Sequence, residues 1–249
     1  MSTDFPERDR IARAGLAAPD LQDVTVINAL IEEQRAELDA ADPSRRARKA
    51  YALAFALNQR FQRSADPADL RAAVPYLQIA VAAGADDPFE ARYVSELGAA
   101  LSQIADLDTD TGLADEALRL AERAATLTPV GHPQHAARVS EHGLAQCRRG
   151  HRNHSAPDLD AGVDRLREAI QLTHRADPRL GMYCWHLALG LMARFEHTGS
   201  VDDIDAAYES VQIAAFTAHP YAPASEEVTK TWALIRNARA TRRRRGAAG

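Results

Sequence analysis

Hydrophobic residues along the chain recur three and four positions apart, in runs separated by short polar segments. In one such run Leu118, Ala121 and Ala125 fall on one side of a helix with about 3.6 residues per turn. The sequence shows no sustained alternation of apolar and polar residues, which a half-buried strand would require. The pattern therefore predicts an all-α fold.

Prolines divide these runs into units of equal length. An apolar run that predicts a first helix follows each proline, and in the complete units a second run follows the first. The residue before a proline is biased away from the helical conformation, so each unit is expected to end there. This spacing predicts a helical solenoid, in which each repeat packs on its neighbours. The prolines recur every 45 residues, at Pro43, Pro88, Pro133, Pro178 and Pro223.

The same spacing sets the predicted boundaries of a single repeat domain over residues 1–249. Residues 1–42 form an N-terminal partial repeat, with a second helix predicted over 20–41. Residues 223–249 form a C-terminal capping helix and a basic tail, because terminal repeats commonly cover the last apolar face. The complete repeats are repeat 1 (43–87), repeat 2 (88–132), repeat 3 (133–177) and repeat 4 (178–222).

Acidic residues lie at or just before the start of three second helices, at Asp66, Asp110 and Asp158. A short carboxylate at such a position accepts hydrogen bonds from the unpaired backbone amides of the first turn. We therefore predict that these residues cap their helices.

Composition narrows the class of protein. The net charge of −5 gives no general argument for nucleic acid. Two cysteines, Cys147 and Cys184, are too few for a disulfide framework. The polar amino terminus shows no secretory signal, and no apolar run approaches the roughly 20 residues that span a bilayer. We expect a cytoplasmic protein without a membrane segment.

Two segments carry a resemblance to a known family. The sequence LGLMARFEHTGSVDDIDAAYESVQIA at 189–214 is similar to the unit of actinobacterial tetratricopeptide-like (TPR-like) repeats, and ALNQRFQRSADPADLRAAV at 56–74 repeats its pattern. The ending LTPVGHP at 127–133 also matches. The resemblance implies a right-handed α-solenoid. Relatives often sit beside a CHAT protease or a nucleotide-binding signalling domain, and neither is expected here.

Tetratricopeptide arrays bind ligands on a concave face lined by first helices, and the resemblance places Leu144 of repeat 3 on that face. In repeat 4 the first helix is apolar nearly all round, so more than one side should be covered. Either neighbouring helices and the capping helix around Trp232 cover it, or its groove face binds a partner. The stripe predicted to face the groove consists of Met182, Trp185, Leu189 and Met192.

Polar candidates for chemistry share one position in successive first helices. Glu96, Glu141 and His186 each lie eight residues after a proline and are expected to form a ladder along the array. A carboxylate beside an imidazole can transfer protons or hold a metal, but a structural column of hydrogen bonds is the favoured interpretation. His142 falls at a predicted core position, where a satisfied buried histidine is expected.

Two further clusters are weighed and not favoured. Cys147, His151 and His154 have a spacing that suits a transition metal, but no fourth ligand is identifiable. The run at 242–245 consists of four arginines, which suit the negative pole of a helix end. Its alternative role is a basic patch for nucleic acid or a membrane surface.

The favoured function is a non-catalytic scaffold that binds a protein partner or peptide segment in the groove, with self-association left open and no cofactor or metal. The alternative is an enzyme or small-molecule binder that uses an apolar pocket at Trp185, with Glu141 and His186 as its polar groups. The third is a nucleic-acid binder that uses the basic tail. The predicted groove residues are Met182, Trp185, Leu189, Met192, Leu144, Glu141 and His186.

Overall fold

The computed structural model describes residues 23–108, 111–217 and 224–247, and in those residues it contains ten α-helices and no strand. The prediction of an all-α fold is confirmed for this part of the chain. None of these helices is both long enough and apolar enough to cross a membrane. The helices are α1 (Val24–Asp39), α2 (Pro43–Ser64), α3 (Pro67–Ala83), α4 (Glu90–Asp108), α5 (Thr111–Thr126), α6 (His135–Arg152), α7 (Ala156–Gln171), α8 (Leu180–Thr198), α9 (Val201–Thr217) and α10 (Ala224–Ala247).

The first helices begin at or just after the repeating prolines. Pro43 is the first residue of α2, where its missing N–H has no helical partner to lose. The helices α4, α6 and α8 each begin two residues after a proline, which lies in the preceding turn. Pro223 lies outside the described residues. The 45-residue spacing therefore marks the starts of helices in the described chain.

The caps of the second helices are less uniform than predicted. Asp66 caps α3 and accepts a hydrogen bond from the amide of Ala68 at 2.9 Å. In α7 the cap is Ser155, and Asp158 is the third residue of the helix. The Asp158 carboxylate instead accepts from Arg149, so its predicted role as a cap is wrong. Asp110 lies outside the described residues.

The chain divides into two compact units, Met1–Ala85 and Asp86–Gly249. The division lies within two residues of the predicted boundary between repeats 1 and 2. In the first unit α1 packs on α2, and α2 on α3. Their contact surfaces bury Ile27, Leu53 and Leu70 almost completely.

In the second unit each first helix packs on its own second helix, in the pairs α4–α5, α6–α7 and α8–α9. The first helices α4, α6, α8 and α10 also contact one another in succession. Small residues allow the close approach of α6 and α7. A β-carbon at Gly162 would lie 2.5 Å from Sγ of Cys147 and 2.8 Å from the carbonyl oxygen of Gly143, so a larger residue would force these helices apart.

Successive first helices of the second unit are joined in a constant register. Hydrogen bonds recur between side chains 46 residues apart, one more than the spacing of the prolines. A residue seven, fourteen or eighteen positions after one proline therefore meets the residue eight, fifteen or nineteen positions after the next. The pairs are Ser95 with Glu141, Ser140 with His186, Trp185 with Thr231, Ser102 with Arg148, and Asp106 with Arg152.

Arginines near the ends of first helices clamp the helix pairs. Arg194 of α8 donates to both carboxylate oxygens of Asp203 on α9, at 2.9 and 2.6 Å, and to Asp160 on α7 at 3.0 Å. One side chain thus joins its own repeat to the previous one. Arg149 clamps Asp158 with the same separation of nine residues. Such paired, bidentate contacts are stronger than single neutral hydrogen bonds.

Replacing Arg194 with Gln should lower the free energy of unfolding by about 3 kcal/mol, because the carboxylate of Asp203 would stay buried without its counter-charge. The matched control is Arg167→Gln, since Arg167 pairs with Asp164 on the exposed surface of α7. That change should cost less than about 0.5 kcal/mol. Chemical denaturation of both variants measures the difference, and equal losses would contradict the clamp.

Candidate functional site

The residues predicted to bind a partner all lie in the second unit, and they differ in exposure. Met182 is 37% exposed, whereas His186 is 8% exposed. The apolar stripe is therefore covered along part of its length and open elsewhere. The seven residues are Glu141 and Leu144 on α6 and Met182, Trp185, His186, Leu189 and Met192 on α8.

Trp185 is engaged by the capping helix. Its indole N–H donates to Oγ1 of Thr231 on α10 at 3.0 Å. The ring is partly buried and packs against the core cluster, as Trp232 of α10 also does. These contacts favour the interpretation in which α10 covers the stripe at this point.

Glu96, Glu141 and His186 were predicted to form a ladder with one another, but Glu141 and His186 pair with other residues. Glu141 accepts from the hydroxyl of Ser95, and Nδ1 of His186 lies 2.8 Å from Oγ of Ser140. Glu141 and His186 therefore each meet a serine of the preceding first helix. Burial, followed by the negative charge of Glu141, raises the pKa of Glu96.

A buried arginine completes this column and was not singled out from the sequence. Arg138 donates to Oε2 of Glu141 at 2.5 Å and also to the hydroxyl of Ser95. Its side chain is 8% exposed. The arrangement joins α4 to α6 by charge-assisted hydrogen bonds, which matches the structural column favoured above.

The two histidines of this region are held neutral. Burial, followed by the nearby charge of Arg148, lowers the pKa of His186 to about 3. Burial and Arg165 lower the pKa of His142 to about 4. A general acid or base works best with a pKa near the operating pH. These two imidazoles therefore act as uncharged hydrogen-bonding or packing groups at neutral pH.

Protonation of His186 should destabilise the fold at low pH. Its pKa is about 3 when folded against an ordinary 6.5, so between these values only the unfolded chain binds the proton. The free energy of unfolding should be unaffected above pH 6.5 and fall by up to about 1.4 kcal/mol per pH unit below it. Urea titrations at several pH values should show a flatter slope for His186→Gln. An exposed control, His197→Gln, should keep the wild-type slope; parallel curves for all three proteins would contradict the assignment.

The proposed metal-ligand spacing does not assemble. Cys147 is 2% exposed in the core, and burial raises the pKa of its thiol to about 12. His151 faces Glu196, with 3.7 Å between Nδ1 and Oε2, and the ring of His154 stacks on that of His197. Within 23–108, 111–217 and 224–247, no three His, Cys, Asp or Glu side chains are grouped to hold a metal ion. The thiol is a packing group in this fold.

Cys147 should resist thiol–disulfide exchange in the native protein, because only a thiolate reacts and this thiol is buried and protonated. The variant Cys184→Ser isolates it, since Cys184 is the other buried free cysteine. At pH 8 less than about a tenth of the thiol should react with a chromogenic disulfide before denaturant is added. Rapid titration of the native variant would contradict the burial of this residue.

A cleft of about 610 Å³ lies among α4, α6 and α8. Its apolar lining residues, called the floor below, include Leu144 and Leu189, two of the predicted groove residues. Its charged and imidazole-bearing lining residues are called the rim. The lining consists of Asp106, Leu144, Cys147, Arg148, His151, Arg152, His154, Leu189 and Ala193.

One carboxylate bridges the two arginines of the cleft. Asp106 on α4 accepts from Nη2 of Arg152 at 2.8 Å and lies 3.3 Å from Nε of Arg148. Arg148 also donates to the hydroxyl of Ser102 at 3.0 Å. Burial lowers the pKa of Arg148, and the negative charge of Asp106 opposes this effect. Arg148 nevertheless stays protonated, because a guanidinium does not lose its proton in proteins. The guanidinium and carboxylate groups of the lining thus supply two positive charges and one negative charge.

Sequence reasoning missed Asp106, Arg148 and Arg152 as a group. The signal was available in the separation of 46 residues that joins Asp106 to Arg152, but the repeats were aligned with a period of 45. Among the lining residues, the thiol is protonated and the arginines cannot act as bases. The cleft is therefore equipped to hold an anionic group beside an apolar surface.

The chain has little similarity to known proteins. No family model matches it, and no curated protein matches it. Among solved structures it is similar to a protein described as "DHF58 filament", at 18% sequence identity and a TM-score of 0.35. That alignment covers 90% of this chain and 100% of the other. A similarity of this size supports no conclusion about function.

Proposed function

We propose that the protein is a non-catalytic scaffold that binds a segment of a partner protein in the cleft among α4, α6 and α8. The observation that carries this proposal is the cleft itself, an open apolar floor edged by charged side chains. Binding sites for peptides combine an apolar anchor surface with a polar rim. The neutral His186 and the protonated Cys147 favour binding over proton transfer or nucleophilic chemistry.

The proposal includes a finer description of the fold. We propose that the repeats form a right-handed α-solenoid of TPR-like units with a period of 45 residues. The proline spacing and the succession of contacts among α4, α6, α8 and α10 support it. A cytoplasmic location is also part of the proposal, and it agrees with the free cysteines at Cys147 and Cys184.

The proposed contact surface has a different centre from the groove predicted from sequence. Leu144 and Leu189 line the cleft, whereas Trp185 and His186 are largely occupied by contacts with neighbouring first helices. Met182 keeps an exposed side chain outside the cleft lining. We therefore place the centre of the binding surface at Leu189 rather than at Trp185.

A small molecule is the second candidate ligand for the same cleft. The volume of about 610 Å³ lies in the range of roughly 300–1,000 Å³ that is usual for ligand pockets. This alternative uses the same apolar floor, so variants of the floor affect both functions. The identity of the retained molecule separates them.

The variant Leu189→Ser should reduce partner capture by at least about tenfold, because it removes an apolar anchor from the floor of the cleft. The control is Ile213→Ser, since Ile213 is 47% exposed on α9 and outside the lining. Affinity capture from the native host, with quantitative mass spectrometry, compares both variants with the wild type. A photo-crosslinking residue at Ala193 tests direct contact.

Three results decide between the candidates. Proteins retained by the wild type and Ile213→Ser, lost with Leu189→Ser and crosslinked from position 193 would support the scaffold. A small molecule released on denaturation, without a retained protein, would favour the second candidate. Equal capture of the same proteins by all three forms would overturn the assignment of the cleft.

A further inference from the structure

We propose that Asp106 occupies the place of a carboxylate that the partner supplies, so that the cleft selects an acidic segment carrying a neighbouring apolar side chain. This inference rests on the proposed function and names the class of partner. The binding event it describes is an exchange of ion pairs. A partner carboxylate takes over contacts to Arg148 and Arg152 that Asp106 makes in the structure described here.

The arginines are held in position before any partner arrives. The side chain of Arg148 is 29% exposed and that of Arg152 is 16% exposed, so both are restricted by their surroundings. Ser102 fixes Arg148 through a hydrogen bond at 3.0 Å. A preorganised cation loses less side-chain entropy when an anion binds. Guanidinium groups in such positions suit recognition of a planar carboxylate.

Asp106 differs from the aspartates that clamp the helices. The side chain of Asp203, which pairs with Arg194, is 8% exposed, and that of Asp158 is 17% exposed. The side chain of Asp106 is 43% exposed and lies on the wall of an open cleft. A buried clamp is costly to break, whereas an exposed ion pair contributes little stability. Asp106 is therefore the carboxylate that can be displaced at low cost.

The charges and the apolar floor of the cleft indicate the same class of partner. Two arginines face one aspartate, so the guanidinium groups leave one positive charge for a ligand group. Leu144, Leu189 and Ala193 lie in the same cleft and offer contact to an apolar side chain. An acidic peptide segment supplies both features from adjacent residues. A nucleic acid backbone would need a more extensive basic surface, and the chain as a whole carries a charge of −5.

The test uses the full chain and a labelled peptide probe. The probe is a fluorescein-labelled, C-terminally amidated (Glu-Leu-Gly)₄ peptide, and (Gln-Leu-Gly)₄ is its uncharged match. A single-stranded DNA of the same number of units tests the nucleic-acid alternative. Fluorescence anisotropy at low salt should show at least about tenfold tighter binding of the Glu peptide than of the Gln peptide.

Two substitutions test the exchange in opposite directions. Asp106→Asn should increase the affinity for the Glu peptide by about fivefold, because the resident carboxylate no longer competes for the arginines. Arg152→Gln should decrease that affinity by about tenfold. The matched controls are Asp164→Asn and Arg167→Gln, which change charge equally at an exposed pair on α7 outside the lining. Both controls should change the affinity by less than about twofold.

Several outcomes would overturn the inference: no binding of the Glu peptide up to about 1 mM, an Asp106→Asn affinity no tighter than that of Asp164→Asn, or DNA binding as tight as the Glu peptide. Thermal melts verify that each variant is folded. If Arg152→Gln does not fold, the Asp106→Asn comparison decides alone. Partner capture that depends on Leu189 while the Glu peptide fails to bind would overturn this inference and leave the scaffold proposal intact.

Discussion

The register between successive first helices is the constraint on which the second unit depends. Each first helix meets the next through side chains 46 residues apart. Neighbouring residues on a helix point about 100° apart, so a change of register by one residue would break all of these contacts together. The same register brings Asp106 to Arg152 and Ser102 to Arg148. The cleft is thus a product of the packing that also holds the helices together.

A second set of contacts joins the two helices of a pair, and these contacts lie outside the cleft lining. The arginine clamps at Arg149 and Arg194 bind aspartates near the starts of the second helices. In repeat 2 the matching position is Ile104, which is 6% exposed. At this position α4 therefore has an apolar side chain where α6 and α8 have a clamping arginine, and an ion pair between Arg123 of α5 and Glu90 of α4 joins this pair elsewhere. The carboxylate of Asp106, two residues further along α4, forms ion pairs with Arg148 and Arg152 of α6.

Much of the fold followed from local signals in the sequence. Proline spacing located the starts of α2, α4, α6 and α8 within two residues, because it depends on backbone geometry that proline restricts wherever it occurs. The assignment of Asp158 as a cap failed because α7 begins earlier, with Ser155 as its cap, and the Asp158 carboxylate inside the first turn pairs with Arg149 of α6. Local rules describe the backbone amides near a residue, but they do not include side chains brought in by another helix.

The candidate site was harder to predict for the same reason. Leu144 was placed on the groove face by the resemblance to tetratricopeptide-like repeats, and Leu189 also belongs to an apolar stripe that helical periodicity identifies. Asp106, Arg148 and Arg152 form a site only after the register is known, and a period of 45 aligns the wrong partners. Trp185 was predicted to bind a partner because it is a large apolar side chain on the groove stripe. Its indole instead donates a hydrogen bond to Thr231 of α10, a contact that its own position in the sequence does not reveal.

The chemistry of the buried groups and the exposed groups leads to one conclusion about mechanism. His186 and Cys147, which could have served catalysis, are desolvated and held in their uncharged forms, and they contribute to packing. Charged groups of the cleft rim remain accessible, and the proposed exchange of ion pairs there would not uncover the core. A net charge of −5 describes the whole surface and conceals this local excess of cations. Selectivity for an anionic partner segment can therefore arise in an acidic protein, because the relevant field is set by a few fixed arginines at short range.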